Sequence, residues 1–196
     1  MYFKELDLPP IPEELLDFEF KPSIGVDDIG YGRTHTKNGK TLTPCSYWFS
    51  KNSNPKLNNW IYENIIQDSK SIEVGCQLAT DGVHIVHSDI NRKYAINYMI
   101  ELGGDNAWTS WYKEADMPLD RSKRTISAQA DTGYVGYENL ELLETVKFEK
   151  NKWYLIVTNI LHDVDEIVGN RKSISISVRP YKEKRILKML GIQDDI

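Results

Sequence analysis

The chain has 196 residues and a formal net charge of −5, with a sequence pI near 5.4 and its acidic and basic residues mixed along its length. That length suffices for one domain with a sizeable core, and the charge balance weighs against a nucleic-acid ligand. No apolar run approaches the roughly 20 residues that span a bilayer, and Met1 to Asp7 lacks a signal-peptide pattern, so a cytoplasmic protein without a membrane span is expected. Cys45 and Cys76 form no Cys-x-x-Cys pair, which leaves a zinc site unsupported and favours two reduced, buried thiols over a disulfide.

Along the chain, Pro9 to Leu16 reads as an extended lead into a short helix. Residues 33–43 centre on Asn38-Gly39, a pair that accepts the positive φ angles of a type I′ turn, and predict a hairpin. Asn54 as N-cap, Pro55 at the first helical position and a stripe of Leu57, Trp60, Ile61 and Ile65 predict a helix over 55–68. Strands then dominate from 71 to 112, with Tyr94–Leu102 and Ala107–Tyr112 joined tightly through Gly103-Gly104-Asp105.

Residues 114–140 interrupt this order. A loop of that length is usually functional or disordered, and it reads equally as a lid or substrate-selecting insertion carrying Tyr134 and Tyr137, or as plain surface. Strands resume over Leu142–Phe148, and Trp153 to His162 is a single β-branched and aromatic run. Tyr181–Leu190 reads as a short basic helix. The expectation is a single domain over 1–196. Its parts are a hairpin and supporting helices in 1–70, a β core over 71–180 with the insertion 114–140, and a C-terminal helix and tail over 181–196.

Chemistry concentrates in His87-Ser88-Asp89, His162 and Arg171. Two imidazoles and a carboxylate on one side of a metal leave other positions open, which suits a non-haem Fe(II) centre. His87 and Asp89 are two apart and share a strand face, whereas the same parity turns His84 away. Arg171, Ser173, Ser175 and Ser177 alternate with Ile174, Ile176 and Val178. In a barrel holding an ionised ligand, that polar face can line the cavity while the 55–68 helix covers the apolar one. A guanidinium binds a carboxylate bidentately and keeps its charge, so Arg171 is the candidate clamp for a dicarboxylate.

In order and spacing, His87-x-Asp89, a long gap, His162, then Arg171-x-Ser173 resembles the Fe(II)/2-oxoglutarate-dependent dioxygenase superfamily, over about 71–179. The resemblance implies a mainly β fold with flanking helices, a double-stranded β-helix or cupin-like jelly roll. It implies Fe(II) on His87, Asp89 and His162, with 2-oxoglutarate held by Arg171, Ser173 and, as in prolyl hydroxylases, Tyr98; Asn97 on the opposite face is Tyr98's rival. Such enzymes couple oxidation of 2-oxoglutarate by O2, giving succinate and carbon dioxide, to hydroxylation of a substrate C–H bond. The acidic Asp89 favours hydroxylation over halogenation, since relatives that halogenate usually have a small residue there.

Arg92 reads either as a partner of a cosubstrate carboxylate or as closing its turn, the structural reading being favoured. Of Trp108, Trp111 and Tyr112, two are expected in the core, while Trp111, Tyr134 and Tyr137 are the residues assigned to the substrate or lid. Two rival functions use the same fold: a cupin-like metal-dependent isomerase or lyase, which needs no dicarboxylate clamp, and a non-catalytic jelly-roll binding module. Free amino acids, protein side chains and small metabolites all remain open as substrates, and the oligomeric state is not legible.

Overall fold

The computed structural model describes residues 1–16, 35–68, 72–90, 92–115, 130–131, 137, 139–178 and 180–192. In chain order these form β1 (Phe3–Leu6), a 3-10 turn (Glu13–Leu15), β2 (His35–Lys37), β3 (Lys40–Leu42), β4 (Ser46–Lys51) and α1 (Pro55–Asn64). Then come β5 (Ile72–Asp89), β6 (Tyr94–Leu102), β7 (Thr109–Glu114), β8 (Ala130–Asp131), β9 (Leu140–Val146), β10 (Trp153–Val157), β11 (Leu161–Val178) and α2 (Glu183–Met189).

Two 18-residue strands, β5 and β11, organise the molecule, because each is shared between two strand layers. The C-terminal half of β11 (170–178) pairs with the N-terminal half of β5, and 171–177 also pair with β6. This gives the order β1-β10-β6-β11-β5-β4. Its N-terminal end (161–164) pairs instead with the far end of β5 and with β7, which pairs with β9. Every pairing between the named strands is antiparallel. Between the halves both strands bend: Asp81 and Gly82 in β5 have φ of 42° and 122°, and Glu166 and Gly169 in β11 have φ of 47° and 72°. Three register shifts accompany the bend, since extra residues in one strand of a pair increase its twist and turn the strand over. The result is a mainly β, curled antiparallel sheet of jelly-roll type.

Gly82 is required at the bend. A Cβ there would lie 2.6 Å from the carbonyl oxygen of Thr43 and 2.9 Å from the amide nitrogen of Cys45. Both atoms are backbone, in the segment that bridges onto β5 through Cys45 N to Val83 O and Val83 N to Thr43 O, each 2.9 Å.

The alternation after Arg171 behaves as its pattern requires. Ile174, Ile176 and Val178 are buried in the largest apolar cluster with Ile72, Val74, Ile96 and Leu155, and α1 covers them with Leu57 and Ile61. Full burial of each such side chain stabilises by roughly 1.5–3 kcal/mol. Asn54 caps α1 by accepting from the amides of Lys56 and Leu57 at 3.0 and 3.4 Å, a contribution of about 1 kcal/mol. The helix stops at Asn64, short of the expected 68, with Ile65 as its C-cap; Ile65 and Ile66 are then buried as part of the turn.

The hairpin forms as β2 and β3 about Asn38 (φ 51°) and Gly39 (φ 74°). Lys37 pins it to β11, donating to Asp163, Asp165 and the hydroxyl of Tyr112. Two expectations need correction. The run from Trp153 to His162 is not one strand: it breaks at 158–160, where Thr158 donates to Lys93 O and accepts from Asp89 N, so His162 begins β11 instead of ending β10. The N-terminal Phe3–Leu6, in the part where a hairpin and supporting helices are expected, is an edge strand on β10. Of the 114–140 insertion, 116–129, 132–136 and 138, Tyr134 among them, lie outside the described residues.

Candidate metal centre

His87 and Asp89 end β5 and His162 opens β11, and the pairing His162↔His87 sets the two imidazoles side by side, with ring centroids 4.3 Å apart. One ligand atom from each of His87, Asp89 and His162 falls within 4.8 Å of the others. Each histidine is tied to a backbone carbonyl through Nδ1, His87 to Ile85 and His162 to Ile160, both at 2.8 Å. That bond places the proton on Nδ1 and leaves Nε2 with its lone pair free for a metal.

Burial pulls His87 below its ordinary pKa and His162 down to about 3, the second helped by the neighbouring imidazole. Both are therefore neutral near pH 7, the form that ligates. For Asp89, burial acts to raise the pKa, but Arg92 and the two histidines outweigh it and hold the carboxyl below its usual range. Arg92 donates from Nε to Asp89 Oδ2 at 2.6 Å and from Nη1 to Ser177 Oγ at 2.8 Å, which orients the carboxylate and leaves Oδ1 for a metal. The donor set of two imidazole nitrogens and one carboxylate oxygen, tautomers fixed and carboxylate ionised, fits a first-row divalent ion.

The three residues line a cavity of about 540 Å³ whose wall also includes Tyr47, Gln77, His84, Arg92, Asn97, Thr109, Phe148, Arg171 and Ser173. Arg171 is half-buried, and its described partners are all neutral: it donates to Leu102 O and Ala107 O at 3.3 Å and to Thr109 Oγ1 at 3.0 Å, and stacks 5.8 Å over Phe148. Among the described residues no carboxylate pairs with it. Burial lowers its pKa to about 10, so it remains a cation at neutral pH. Ser173 also lines the cavity, with its hydroxyl donating to Gln77 Oε1 at 2.9 Å.

His84 is the main departure from the sequence reading. Strand parity turns it away from His87, yet its ring lies 4.4 Å from that of His87 and stacks on Tyr47 at 4.5 Å. The pairings His162↔His87 and Val164↔His84 give the reason. Between these pairs one residue on β11, Asp163, faces two on β5, Ile85 and Val86, and this bulge returns His84 to the cavity face. Asp81-Gly82, a bend signal just before it, is the sequence feature that marks the irregularity.

The remaining assignments divide by face. Asn97 opposes Ser175 and lines the cavity, whereas Tyr98 opposes Ile174 and packs on Trp153 at 5.0 Å in the outer core; the structure thus separates Tyr98 from the other proposed cosubstrate residues. Trp111 does not reach the cavity: it is wholly buried against Phe3 and Tyr2 and donates to Val157 O at 2.8 Å. Tyr112 is also buried, while Trp108 is largely exposed. Tyr137 is buried in a separate cluster beside Tyr112 and Lys37. Arg92 donates to the Asp89 carboxylate three residues back, across the turn between β5 and β6, and also reaches Ser177 on β11. Within the insertion, β8 pairs its backbone with Ser88 and Asp89. Cys45 and Cys76 are buried thiols outside any disulfide, pushed up to about 12 by burial.

No protein-family model matches the sequence, and a search of curated proteins gives no match. Solved structures with some similarity include a prolyl-4-hydroxylase from Pseudomonas putida, at 12% identity and TM-score 0.38, covering 69% of this chain and 70% of that one. Oxalate decarboxylase from Bacillus subtilis matches at 11% identity and TM-score 0.33, covering 79% of this chain and 34% of that one. Coconut allergen cocosin matches at 13% and 0.35, covering 75% and 29%. The chain thus spans about a third of the length of the last two. Identities and scores this low do not bear on chemistry. No helix among the described residues is long and apolar enough to cross a membrane.

Proposed function

We propose that this chain is a non-haem Fe(II)- and 2-oxoglutarate-dependent oxygenase that hydroxylates an amino acid, a protein side chain or a small metabolite. The observation that carries the reading is Arg171, a half-buried guanidinium without a carboxylate partner among the described residues, in the same cavity as the His87, Asp89 and His162 cluster. Burying an unpaired cation is costly unless something neutralises it. A dicarboxylate reaching from the metal to Arg171 would do so, and a metal-dependent lyase or isomerase has no need of such a group.

In this reading His87 and His162 hold the metal through Nε2 and Asp89 through Oδ1, while Arg92 keeps the Asp89 carboxylate oriented and ionised. Arg171 binds the distal carboxylate of 2-oxoglutarate, and Ser173 with Gln77 forms the polar wall beside it. The apolar side chains of Met99, Phe148, Ile156 and Val164 line the same cavity and limit water around the ligand. Fe(II), 2-oxoglutarate and O2 together supply the oxidation that converts a substrate C–H into C–OH. Within the 114–140 insertion, β8 pairs with Ser88 and Asp89, and we assign the insertion a part in substrate capture.

The test is anaerobic titration with Fe(II) and then 2-oxoglutarate, followed by O2-dependent succinate release against a panel of amino acids and peptides. Saturable 2-oxoglutarate binding that requires the metal supports the reading. Tight metal binding without any 2-oxoglutarate affinity replaces it with the cupin-like alternative.

A further inference from the structure

Arg92 uses only part of its guanidinium within the described structure. Nε is on Asp89, and Nη1 is on Ser177 at 2.8 Å with a longer contact to Ser175 at 3.4 Å. No described residue accepts from Nη2, and the side chain lines the cavity at 20% exposure. Asp89 is its acidic partner. The other acid on the cavity wall, Glu73, is exposed and makes no ion pair with it among the described residues.

We propose that Arg92 is the anchor for the substrate, binding through its Nη2 edge the carboxylate of a small organic acid that carries one net negative charge. The inference rests on the proposed function for its count of charges. A divalent metal draws on the Asp89 carboxylate, and one carboxylate of 2-oxoglutarate completes its neutralisation. The other carboxylate neutralises Arg171. The charge left over is that of Arg92, whose own partner is then shared with the metal. A substrate bearing one negative charge balances the enclosed site, whereas a neutral or cationic substrate leaves a partly buried cation unbalanced.

Position agrees with charge. Arg92 and Arg171 are both on the cavity wall, but Arg171 bonds residues at the β6–β7 connection whereas Arg92 bonds Asp89 and Ser177. A carboxylate on the Arg92 guanidinium lies close to the Asp89 carboxylate that the same guanidinium binds, so the carbons next to it are the ones nearest the proposed metal site. That geometry favours hydroxylation near a carboxylate and disfavours a residue in mid-peptide, unless its own side chain is acidic.

The probe is propionate, with propionamide as its neutral isostere and chloride at matched ionic strength. Full-length protein loaded with Zn(II) and 2-oxoglutarate, in which Arg171 is occupied and no oxidation proceeds, is titrated while the arginine Nε–H signals are followed by NMR. The Arg92 signal, identified by its loss in Arg92→Lys, is expected to shift saturably with propionate alone. Calorimetry is expected to show propionate binding about ten- to a hundredfold weaker in Arg92→Lys, the loss of one charge-assisted hydrogen bond. Both proteins are titrated at saturating Zn(II) and 2-oxoglutarate, because Arg92 also orients the Asp89 carboxylate and its replacement weakens metal binding as well.

Equal responses to propionate and propionamide or chloride, or an unchanged propionate affinity in Arg92→Lys, overturn the assignment. Wild-type protein that takes 2-oxoglutarate but gives no propionate response defeats this inference alone. Wild-type protein that takes no 2-oxoglutarate defeats the proposed function, and this inference with it.

Discussion

Replacing Arg171 with leucine separates a ligand clamp from a structural cation, because the two roles predict opposite balances of stability and affinity. In the ligand-free protein the guanidinium is held by three neutral oxygens at 3.0–3.3 Å. The lowering of its pKa from 12.5 to about 10 by burial corresponds to a cost of about 3 kcal/mol for keeping the cation there. Arg171→Leu removes that cost but leaves up to three acceptors without their donor, at about 1 kcal/mol each. The contributions nearly cancel, so ligand-free stability is expected to change by less than about 2 kcal/mol.

Binding of 2-oxoglutarate has no such compensation. Losing the partner of a buried carboxylate costs about 2–5 kcal/mol, which is roughly thirty- to several-thousand-fold in Kd. Denaturant melts of the Zn(II)-loaded protein with and without 2-oxoglutarate read both quantities. At a ligand concentration about 100 times its Kd, wild type gains about 2.7 kcal/mol, and the variant is expected to gain less than about 1 kcal/mol at the same concentration. An equal gain in both proteins refutes the clamp. A ligand-free variant that barely folds would show instead that Arg171 is structural.

Four further outcomes are expected. His87→Ala abolishes stoichiometric Zn(II) or Fe(II) binding by calorimetry, whereas His84→Ala, which removes a ring packed on His87 but outside the ligand cluster, keeps one metal per chain with affinity about ten- to a hundredfold lower. Gly82→Ala, which drives a Cβ to 2.6 Å from Thr43 O at a φ of 122°, lowers stability in urea melts by about 2 kcal/mol or more; an unchanged midpoint contradicts the tight bend. The metal-free protein loses stability in acid: the unfolded chain protonates near 6.5 while His162 stays neutral until about 3. The stabilisation is therefore fully present above 6.5 and declines below it, by about 1.4 kcal/mol per pH unit for each such histidine, and urea midpoints that stay flat over that range refute it. Shortening 116–129 while keeping β8 leaves metal and 2-oxoglutarate affinity intact and lowers substrate-coupled turnover; full turnover by the shortened protein refutes a part for the insertion in substrate capture.

Where local chemistry is sufficient, the sequence was readable. Asn38-Gly39 forms its hairpin because few other pairs accept two positive φ angles, and Asn54-Pro55 starts α1 because one side chain satisfies orphan amides while the ring fits the first turn. The alternation from Arg171 to Val178 survives intact because strand geometry has period two wherever the ladder is regular. Tyr98 and Asn97 illustrate the limit of a resemblance. The rival on the opposite face is the one on the cavity wall, and only the pairing of β6 with β11 shows which face that is.

The amino-acid order thus determined the residue types of the site, the approximate strands that carry them and the polar face opposite an apolar one, all consequences of interactions within a few residues. Tertiary structure alone decided what meets across the bend. A bulge of one residue returned His84 to the cavity against its parity, and Arg92 was placed on the Asp89 carboxylate and on Ser177, eighty-five positions away. The bend also left Arg171 enclosed among neutral oxygens. Register shifts and charge partners depend on how two long strands fold back on each other, and no periodicity within either strand encodes that.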